Sequence, residues 1–377
     1  MAKPVRLGLV GAGSIALRSP LAHISVGDVK EEIVFGAICD PVPGRAKAAA
    51  EKFGVPQHFE SFDEMVAKGD FDVATVCSPI GVHFEQGMKL IAAAKHIHFN
   101  KTMTTTRAEA DQIIDAAAKK GVKIVASPGQ MLRPQNLRTR KLILDGAIGQ
   151  LSWAAVGAGF GDYHQEEGVR QGSDVLTNID PSWYFRKPGG GPLYDMTVYG
   201  LHTLTGVLGP AKRVTAMSGV LVKERDFKGK KVACDADDNT VILLDFGKMA
   251  FAYVHGTAAG MVNTGGWGVP NYYGTGGSII GTTLNGKPFD YPGKDKDPQG
   301  HGIGLLKHAK GKHGGMEEMH VYEDLMQLAD WVREGIPSIA TAEHARHVVE
   351  IFDAAYKAAA TGQTQALTST FTPAAGA

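Results

Sequence analysis

The sequence has few cysteines, no excess of charge of either sign and no long apolar run. Cys39, Cys77 and Cys234 are too few and too widely spaced for a disulfide framework or a Cys-x-x-Cys site, which indicates a reducing compartment. The 39 Lys and Arg residues balance 39 Asp and Glu residues, so the clustered positive charge that nucleic-acid binding requires is not expected. No run approaches the ~18–20 apolar residues that cross a bilayer.

The amino terminus needs separate treatment, because Lys3 and Arg6 precede an apolar stretch at residues 7–17, as in a secretion signal. The same residues are better explained as a buried strand that runs into a glycine turn, and cleavage would remove that turn. We therefore predict a cytoplasmic protein that binds neither membrane nor nucleic acid.

The hydrophobic pattern predicts an α/β chain, and 377 residues are too many for one ordinary core. The first part of the chain alternates short apolar runs with helical patterns, which is typical of a parallel sheet covered by helices. Thr106 and Glu109 form a predicted capping box. Strands are predicted at residues 5–10, 33–39, 73–77, 97–99 and 122–126. Helices are predicted at residues 45–53, 61–68, 83–93 and 107–119.

Residues after 128 have a different pattern that is richer in alternating strands. Strands of a largely antiparallel sheet are predicted at residues 151–160, 214–222, 240–245 and 249–257. Helices are predicted at residues 138–145, 316–334 and 342–360. We expect the glycine-rich residues 255–281 to be loop or strand edge, residues 294–312 to be a surface excursion, and the tail beyond 362 to be frayed.

A dinucleotide-binding fingerprint, Gly-Ala-Gly-Ser-Ile-Ala, follows the first predicted strand and opens a helix. Gly11 permits the tight turn, and Gly13 lets backbone amides approach a pyrophosphate. Ser14 and Ile15 begin the helix, whose amino-terminal end carries the partial positive charge that favours phosphates. The first domain is therefore predicted to be of the Rossmann type.

An acidic residue, Asp40, follows the second predicted strand, about where a ribose-binding carboxylate is found. Such a carboxylate accepts hydrogen bonds from both ribose hydroxyls and repels a 2′-phosphate, so NAD is favoured over NADP. Arg45 lies nearby and could accommodate the extra phosphate, so NADP remains the alternative. Asp40 could also be a turn residue before Pro41, but its position favours cofactor binding.

Two segments carry residues suited to catalysis. Lys101 comes directly after a predicted strand, at the carboxyl edge where ligands meet a parallel sheet, and could supply positive charge to a developing alkoxide. The second segment begins with three glycines, and a helix is predicted near Pro192. Asp195, Tyr199 and His202 are four and three residues apart on that helix, so all three are expected to project from one face.

These motifs, in this order, resemble the Gfo/Idh/MocA family, named for glucose–fructose oxidoreductase, inositol dehydrogenase and a rhizopine-catabolism enzyme. The resemblance covers about residues 5–360 and rests on the glycine fingerprint, on Lys101 and on residues 189–199. The Cys-Ser-Pro-Ile segment at residues 77–80, with His83, is similar to the Thr-Pro-Asn and histidine of the family.

The resemblance implies an NAD(P)-dependent oxidoreductase that moves a hydride between nicotinamide and a hydroxyl carbon of a sugar, glycoside or cyclitol. It implies a Rossmann domain at residues 1–128, an α+β substrate-binding and oligomerisation domain at 129–362, and a tail at 363–377. The second domain would carry a large, open, mostly antiparallel sheet whose exposed face forms a homodimer or homotetramer. The implied cofactor-binding residues are Gly11, Gly13, Ser14, Ile15, Asp40, Arg45, Ser78, Ile80, His83, Asn100, Lys101 and Gln130.

The resemblance also assigns the catalytic lysine to Lys101, the aspartate to Asp195 and the position of the base to Tyr199. A phenol has an ordinary pKa of about 10, which a cation such as Lys101 must lower. His202 has an ordinary pKa of about 6.5 and needs no such change. Tyr199 is the predicted base and His202 is expected to orient the substrate, while the reverse assignment stays open.

Two departures from the family pattern indicate a divergent substrate group. Asn-Lys-Thr at residues 100–102 stands in place of Glu-Lys-Pro, which removes a carboxylate beside Lys101. Thr197 stands in place of the motif glycine and fills space where family backbones pack closely. The charged residues are retained, which argues against an inactive enzyme.

Residues before the glycine triplet are predicted to contact the substrate. Trp183 and Tyr184 offer aromatic faces that stack on pyranose rings, and Arg186 could bind hydroxyls or the cofactor amide. Trp183 could instead pack the seam between the domains. A polar excursion is expected to form one wall of the pocket through Asp162, His164, Arg170 and Gln171.

Competing functions remain open for the same scaffold. A glycosidase, epimerase or lyase would oxidise a hydroxyl transiently and then return the hydride. A dinucleotide sensor would bind without turnover, although the combined catalytic residues weigh against it. A metal enzyme is not expected, because His301, His308 and His313 are surrounded by glycines and lysines and have no obvious acidic partner.

Overall fold

The computed structural model describes residues 3–159, 161, 167–260, 268–297 and 299–376. The strands of its amino-terminal parallel sheet are β1 Val5–Val10, β2 Ile33–Cys39, β3 Gln57–Phe59, β4 Val73–Val76, β5 His96–Phe99 and β6 Ile124–Ala126. The helices of this half are α1 Ser14–Arg18, α2 Pro20–Ile24, α3 Arg45–Phe53, α4 Phe62–Lys68, α5 His83–Ala92 and α6 Arg107–Lys120. The predicted alternation and the capping box of α6 are confirmed, whereas β3 was not predicted.

The parallel sheet has the strand order β3-β2-β1-β4-β5-β6, which is the order of dinucleotide-binding folds. Every residue of β4 is buried, because helices cover both faces of the sheet. The strand order reverses between β1 and β4, so a crevice opens beyond their carboxyl ends, next to Val10 and Val76. The fold thus places a ligand site directly after the two strands that precede the glycine loop and Cys77.

A second sheet dominates the rest of the chain. Its strands are β7 Leu151–Gly159, β8 Arg213–Gly219, β11 Asn239–Gly247, β12 Ala250–Thr257, β13 Asn271–Gly274, β14 Gly277–Ile280, β15 Thr283–Leu284, β16 Lys287–Pro288 and β17 Gln365–Ala366, and a separate hairpin consists of β9 Glu224–Phe227 and β10 Lys230–Ala233. The α-helices are α7 Pro134–Leu144, α8 Val198–Leu208, α9 Met319–Glu334 and α10 Ala342–Thr361. Short 3-10 turns lie at Ile80–Val82, Gln130–Leu132, Gly168–Arg170, Ser182–Phe185, Lys294–Lys296, Ile303–Leu305 and Gly311–Gly315.

In the described part of the chain, the order of this sheet is β16-β15-β14-β13-β7-β12-β11-β8-β17, and all pairs are antiparallel except β7 with β12. Its side chains alternate between two faces. Ile242, Leu244 and Val254 are buried under α8 and α10, whereas Leu243 and Phe251 on the other face are exposed. The sheet therefore has one covered and one open face.

Helix α9 crosses from the second half of the chain back to the parallel sheet. Tyr322, Leu325 and Met326 on α9 join the same hydrophobic cluster as Leu7 and Leu9 of β1. The start of this helix is thereby held close to the crevice of the parallel sheet. Within the described residues, no helix is both long and apolar enough to cross a membrane.

Three expectations for the second half need correction. The glycine-rich residues 255–281 include β13, which pairs with β7 on one side and β14 on the other, while residues 261–267 lie outside the described part. The predicted surface excursion carries buried side chains, among them Leu306. The tail is not frayed: β17 extends the sheet, the Ser369 amide donates to Glu350 at 2.9 Å, and Phe371 stacks on a buried histidine.

Candidate active site

The crevice at the carboxyl ends of β1 and β4 leads into a cavity of about 720 Å³. Ser14, Ser78 and Lys101 line it from the parallel sheet and its loops, and Asp195 and Tyr199 line it from the second half of the chain. A concave space that joins two packed layers and holds several polar side chains is the usual form of a small-molecule site.

The glycine-rich loop at the entrance fits a dinucleotide. Gly11 has a φ of +93°, and a Cβ there would lie 3.1 Å from the backbone of Cys77, so this turn favours glycine. A Cβ at Gly13 would meet no atom within 4 Å, which leaves open space at the beginning of α1. Ser14 and Ile15 line the cavity beside this space. The loop therefore offers a pyrophosphate open space next to the amino-terminal end of α1.

Asp40 supports this loop from the end of β2. Its buried carboxylate accepts hydrogen bonds from the amide of Ala12 at 2.8 Å and from the amide of Val42 at 2.9 Å. The guanidinium of Arg45 lies 3.6 Å from the same carboxylate and donates to the carbonyl of Val175 at 3.0 Å. Asp40 and Arg45 thus form a pair at the position where the ribose is expected, outside the lining of the large cavity.

Partly buried Lys101 and buried Asp195 form an ion pair in the lining of the cavity. Lys101 Nζ donates to the Asp195 carboxylate at 2.5 Å and to the Asp195 carbonyl at 2.7 Å. The ammonium lies 5.3 Å from the centre of the Tyr199 ring. Burial is the largest single influence on the pKa of Lys101 and lowers it, but the Asp195 carboxylate together with the phenols of Tyr199 and Tyr184 outweighs burial, so the pKa is raised. The expected proximity of Lys101, Asp195 and Tyr199 is confirmed.

Tyr199 contacts a histidine that the sequence patterns did not indicate. Its Oη lies 3.0 Å from Nε2 of His320 at the start of α9, and both side chains line the cavity. Burial raises the pKa of Tyr199, and the opposing effect of the Lys101 cation is smaller. The expected lowering of this pKa by Lys101 is therefore not found.

His202 lies outside the lining of the cavity, which corrects the expectation that it faces the substrate. Its side chain is buried and lies against His344, with 4.6 Å between the ring centres and 40° between the ring planes. Burial lowers the pKa of His202 to about 3. A π-helical turn at Leu193–Thr197 precedes α8, and such a turn holds more residues than an α-helical one. Asp195 and Tyr199 still reach the cavity together across this turn. His202, three residues further on in α8, packs against α10 instead, so the three side chains do not share one face.

The remaining predicted cofactor residues fall into two groups. Ser78, Asn100 and Gln130 line the cavity. His83 and Ile80 lie outside the lining of the cavity, and their contact with the cofactor stays a prediction. His83 is buried, with Nε2 2.8 Å from the Ser78 carbonyl and Nδ1 2.9 Å from a carbonyl of the loop after β5. His83 therefore joins two loops of the site, and Ile80 belongs to the hydrophobic core.

The residues predicted to contact the substrate are also divided. Trp183 and Tyr184 stack with ring centres 3.9 Å apart, and both line the cavity. Arg186 lies outside that lining and is half-exposed, with its Nε 3.5 Å from Asp235. Its role in substrate binding stays a prediction.

The predicted polar wall is only partly described. Asp162 and His164 lie outside the described residues. Arg170 is buried and forms an ion pair with Glu167 at 2.7 Å. Its guanidinium carbon lies 5.4 Å from the centre of the Tyr184 ring. Neither Arg170 nor Gln171 lines the cavity. Glu167, which no sequence pattern indicated, is instead part of this wall of the cavity.

A charged network at the entrance was also missed. The guanidinium of Arg18 lies 3.1 Å from Glu167 and 2.8 Å from Glu318, and Ser14 donates to Glu167 at 2.9 Å. Arg133 lines the same cavity. These residues come from four separate segments, so no local spacing in the sequence could reveal them.

The three histidines considered as metal ligands occupy different places. His301 lines the cavity, whereas His308 contacts Glu323 at 3.2 Å. His313 lies 3.0 Å from Asp28, so the sequence-based expectation of no acidic partner is corrected for two of the three. Among the described residues, no group of three or more His, Cys, Asp and Glu side chains is arranged to hold a metal ion.

The strand order, the glycine loop and the polar cavity together define a two-part Rossmann-fold protein. Residues 5–127 match the model of an oxidoreductase family with an NAD-binding Rossmann fold, and residues 136–280 match that of the Gfo/Idh/MocA C-terminal domain. The two matches together cover more than half of the chain. The chain belongs to the Gfo/Idh/MocA oxidoreductase family, as its motifs predicted.

Curated relatives and solved structures share parts or all of this fold. The chain is 28% identical to D-glucoside 3-dehydrogenase of Escherichia coli over 57% of its own length and 58% of that protein. Levoglucosan dehydrogenase, solved with NADH and L-sorbose, superimposes with a TM-score of 0.74 at 19% identity over 97% of this chain and 99% of that one. The WlbA dehydrogenase of Bordetella pertussis, solved with NADH and UDP-GlcNAcA, gives 0.72 at 18% identity over 97% and 98%. The structural likenesses show the fold, and the chain spans about three fifths of the E. coli relative's length.

Proposed function

We propose that the protein is an NAD-dependent dehydrogenase that oxidises a hydroxyl of a sugar or glycoside. The observation that carries this proposal is the group of buried Asp195 with partly buried Lys101 and Tyr199, which lines one cavity together with the start of the glycine-loop helix. A buried cation next to a phenol can hold a hydroxyl and stabilise the alkoxide that forms when its proton leaves.

In this mechanism each residue has a separate task. Lys101 donates to the hydroxyl oxygen and stabilises its developing negative charge, while Asp195 holds the ammonium in place. Tyr199 removes the hydroxyl proton. The glycine loop at Gly11 and Gly13 would hold NAD, whose nicotinamide would supply the acceptor for the hydride of the carbon that carries this hydroxyl. The stacked Trp183 and Tyr184 provide an apolar surface for the sugar ring.

The proposed substrate class is supported by the relatives. D-glucoside 3-dehydrogenase and D-xylose dehydrogenase are among the proteins that match this chain, at 28% identity each. Polar and aromatic groups line the same cavity, as a polyhydroxylated ring with polar edges and apolar faces requires.

The test is a screen of monosaccharides, glycosides and cyclitols with NAD and with NADP, followed by the ultraviolet absorbance of the reduced cofactor. We expect net NADH formation with at least one sugar or glycoside and slower reduction of NADP. Sugar conversion without net NADH formation would favour a glycosidase, epimerase or lyase, and cofactor binding without any conversion would favour a sensor. Either result would reject the dehydrogenase.

We also propose that the open face of the second sheet joins copies of this chain in a dimer or tetramer. Met217, Leu243 and Phe251 on that face have relative exposures of 82%, 53% and 42%, which is unusual for large apolar side chains on one surface. Light scattering of the wild type should give a multiple of the chain mass, and Leu243→Lys should lower it. A monomeric wild type would reject this assembly.

The location in the cell remains a prediction. Cys39 and Cys77 are buried free thiols, and Cys234 is a partly exposed one, which agrees with the reducing cytoplasm proposed from the sequence. Fractionation of cells that express the protein would test this proposal, and recovery in the secreted fraction would contradict it.

A further inference from the structure

His320 is placed between the proposed base and an acidic residue near the surface. Its Nε2 lies 3.0 Å from Tyr199 Oη, and its Nδ1 lies 3.7 Å from a carboxylate oxygen of Glu318. The Glu318 side chain is 21% exposed and pairs with Arg18 at 2.8 Å. The three side chains Tyr199, His320 and Glu318 thus lead from the centre of the cavity towards solvent.

The charges around His320 determine its protonation state. Burial and the nearby cations Arg133, Lys101 and Arg18 lower the pKa of His320 to about 3, while Glu318 is the acidic group that faces its Nδ1. The ring is therefore neutral at neutral pH and has one donor and one acceptor nitrogen. Since the pKa of Tyr199 is raised, its phenol keeps its proton and can donate it to Nε2.

With Nε2 as acceptor, the ring proton lies on Nδ1 and points towards Glu318. The phenol does not have to ionise beforehand, because it can pass its own proton to the imidazole as it receives another.

We propose that His320 accepts the Tyr199 proton during substrate oxidation and passes a proton through Glu318 to water. This inference rests on the proposed dehydrogenase activity. The hydroxyl proton moves to Tyr199 Oη, the former Tyr199 proton moves to His320 Nε2, and the Nδ1 proton leaves through Glu318. The electron pair of the O–H bond becomes the second bond of the C=O group, and the hydride goes to NAD. His320 thus acts through Tyr199 and positions its proton.

The first test requires neither substrate nor cofactor. In protein labelled with ¹⁵N in histidine, the signals lost in His320→Gln identify the His320 ring. We expect a neutral ring at pH 7 with the proton on Nδ1, and a shift of the Nε2 resonance in Tyr199→Phe. A ring protonated on Nε2, a charged ring, or no shift in Tyr199→Phe would overturn the proposal.

The second test compares turnover in His320→Ala and in the control His58→Ala, which changes an exposed histidine on β3. We expect kcat to fall about 10²-fold in His320→Ala with KM changed less than about threefold, and added imidazole to restore part of the rate in that variant alone. An unchanged kcat, or a loss that imidazole does not reduce although the variant is folded by circular dichroism, would reject the relay.

The two tests separate this inference from the proposed function. If the wild type oxidises no sugar, the dehydrogenase proposal fails, while the NMR result still decides the geometry of His320. If the wild type oxidises a sugar and His320→Ala does so equally well, the relay fails and the dehydrogenase remains.

Discussion

The two ends of the cavity are built in different ways. At the proposed cofactor end, consecutive backbone groups after β1 form the binding surface. The Asp40 carboxylate accepts a hydrogen bond from the amide of Ala12 and so supports this loop. At the reactive end, Lys101, Asp195 and His320 come from three distant segments, and their side chains meet in the lining of the cavity. Changes at the first end should therefore affect cofactor affinity, and changes at the second should affect turnover.

The largest effect is expected from Lys101→Met at the reactive end. The variant loses the cation that stabilises the alkoxide and leaves the Asp195 carboxylate buried without its partner. We expect kcat to fall about 10³-fold, with a smaller change in the dissociation constant of NAD.

The matched control for this variant is Lys141→Met, which removes an exposed ion pair with Asp145 at 3.0 Å. It should leave kcat unchanged, because exposed pairs contribute little. If Lys101→Met weakens NAD binding as strongly as turnover, the distinction between the two ends is wrong.

A smaller loss is expected from Gly13→Ala at the cofactor end. The added methyl group meets no protein atom within 4 Å, so the fold should be unaffected, but it fills the space assigned to the pyrophosphate. We expect NAD affinity, measured by calorimetry, to fall about 10–100-fold at an unchanged melting temperature.

Gly11→Ala is the counterpart of this experiment. Here the methyl group would lie 3.1 Å from the Cys77 backbone at a φ of +93°, so we expect a loss of about 1–2 kcal/mol in the free energy of unfolding. If Gly13→Ala lowered the free energy of unfolding as much as Gly11→Ala, Gly13 would be needed for the fold and the assignment of its open space to a pyrophosphate would lose its support.

A change of about tenfold is expected from Asp40→Ala. The loss of the carboxylate removes a ribose acceptor and the charge that repels a 2′-phosphate, while Arg45 remains nearby. The ratio of kcat/KM for NAD to that for NADP should fall. Asp63→Ala, which removes an exposed ion pair with Lys89, is the control, and an unchanged ratio in Asp40→Ala would reject the assignment.

The smallest effect concerns the pH dependence of stability. The pKa of His202 is lowered to about 3 in the folded protein, below its unfolded value of about 6.5. As the pH falls from 6.5 towards 3, the unfolded chain takes up a proton that the folded chain does not. The free energy of unfolding is therefore highest above pH 6.5. It falls between pH 6.5 and pH 3 by up to about 1.4 kcal/mol per pH unit for each histidine that is buried in its neutral form.

His202→Phe should reduce this acid sensitivity. We expect the difference in melting temperature between pH 6.5 and pH 5 to become smaller by a few degrees, at roughly 2–4 °C per kcal/mol. Scanning calorimetry at the two pH values measures it, and an equal difference in wild type and variant would contradict the burial of a neutral ring.

The local parts of the fold could be predicted because their causes are local. The period of apolar residues gave β1, β2 and α3 with the bounds later found, and Thr106 with Glu109 marked the start of α6. The predictions failed where the cause was not local. His202 was misplaced because its side of α8 packs against His344 of α10, a contact between distant segments that no local spacing records.

His320 shows why the rest of the site was not predicted. It is 121 residues from Tyr199, and its helix α9 packs against the other sheet before its first turn reaches the cavity. No motif or spacing records such a contact. Arg186 shows that closeness in sequence does not fix orientation, since its half-exposed side chain lies 3.5 Å from Asp235 and outside the cavity lining.

By itself, the sequence determined the parallel sheet, the glycine loop and the presence of a lysine, an aspartate and a tyrosine suited to hydride-transfer chemistry, because short-range spacing and strand ends fix these features. Only the tertiary structure decided which imidazole stands beside Tyr199, which residues are charged and which side chains face the cavity. Burial and the neighbouring charges control protonation, and both depend on segments that are brought together only when the chain has folded.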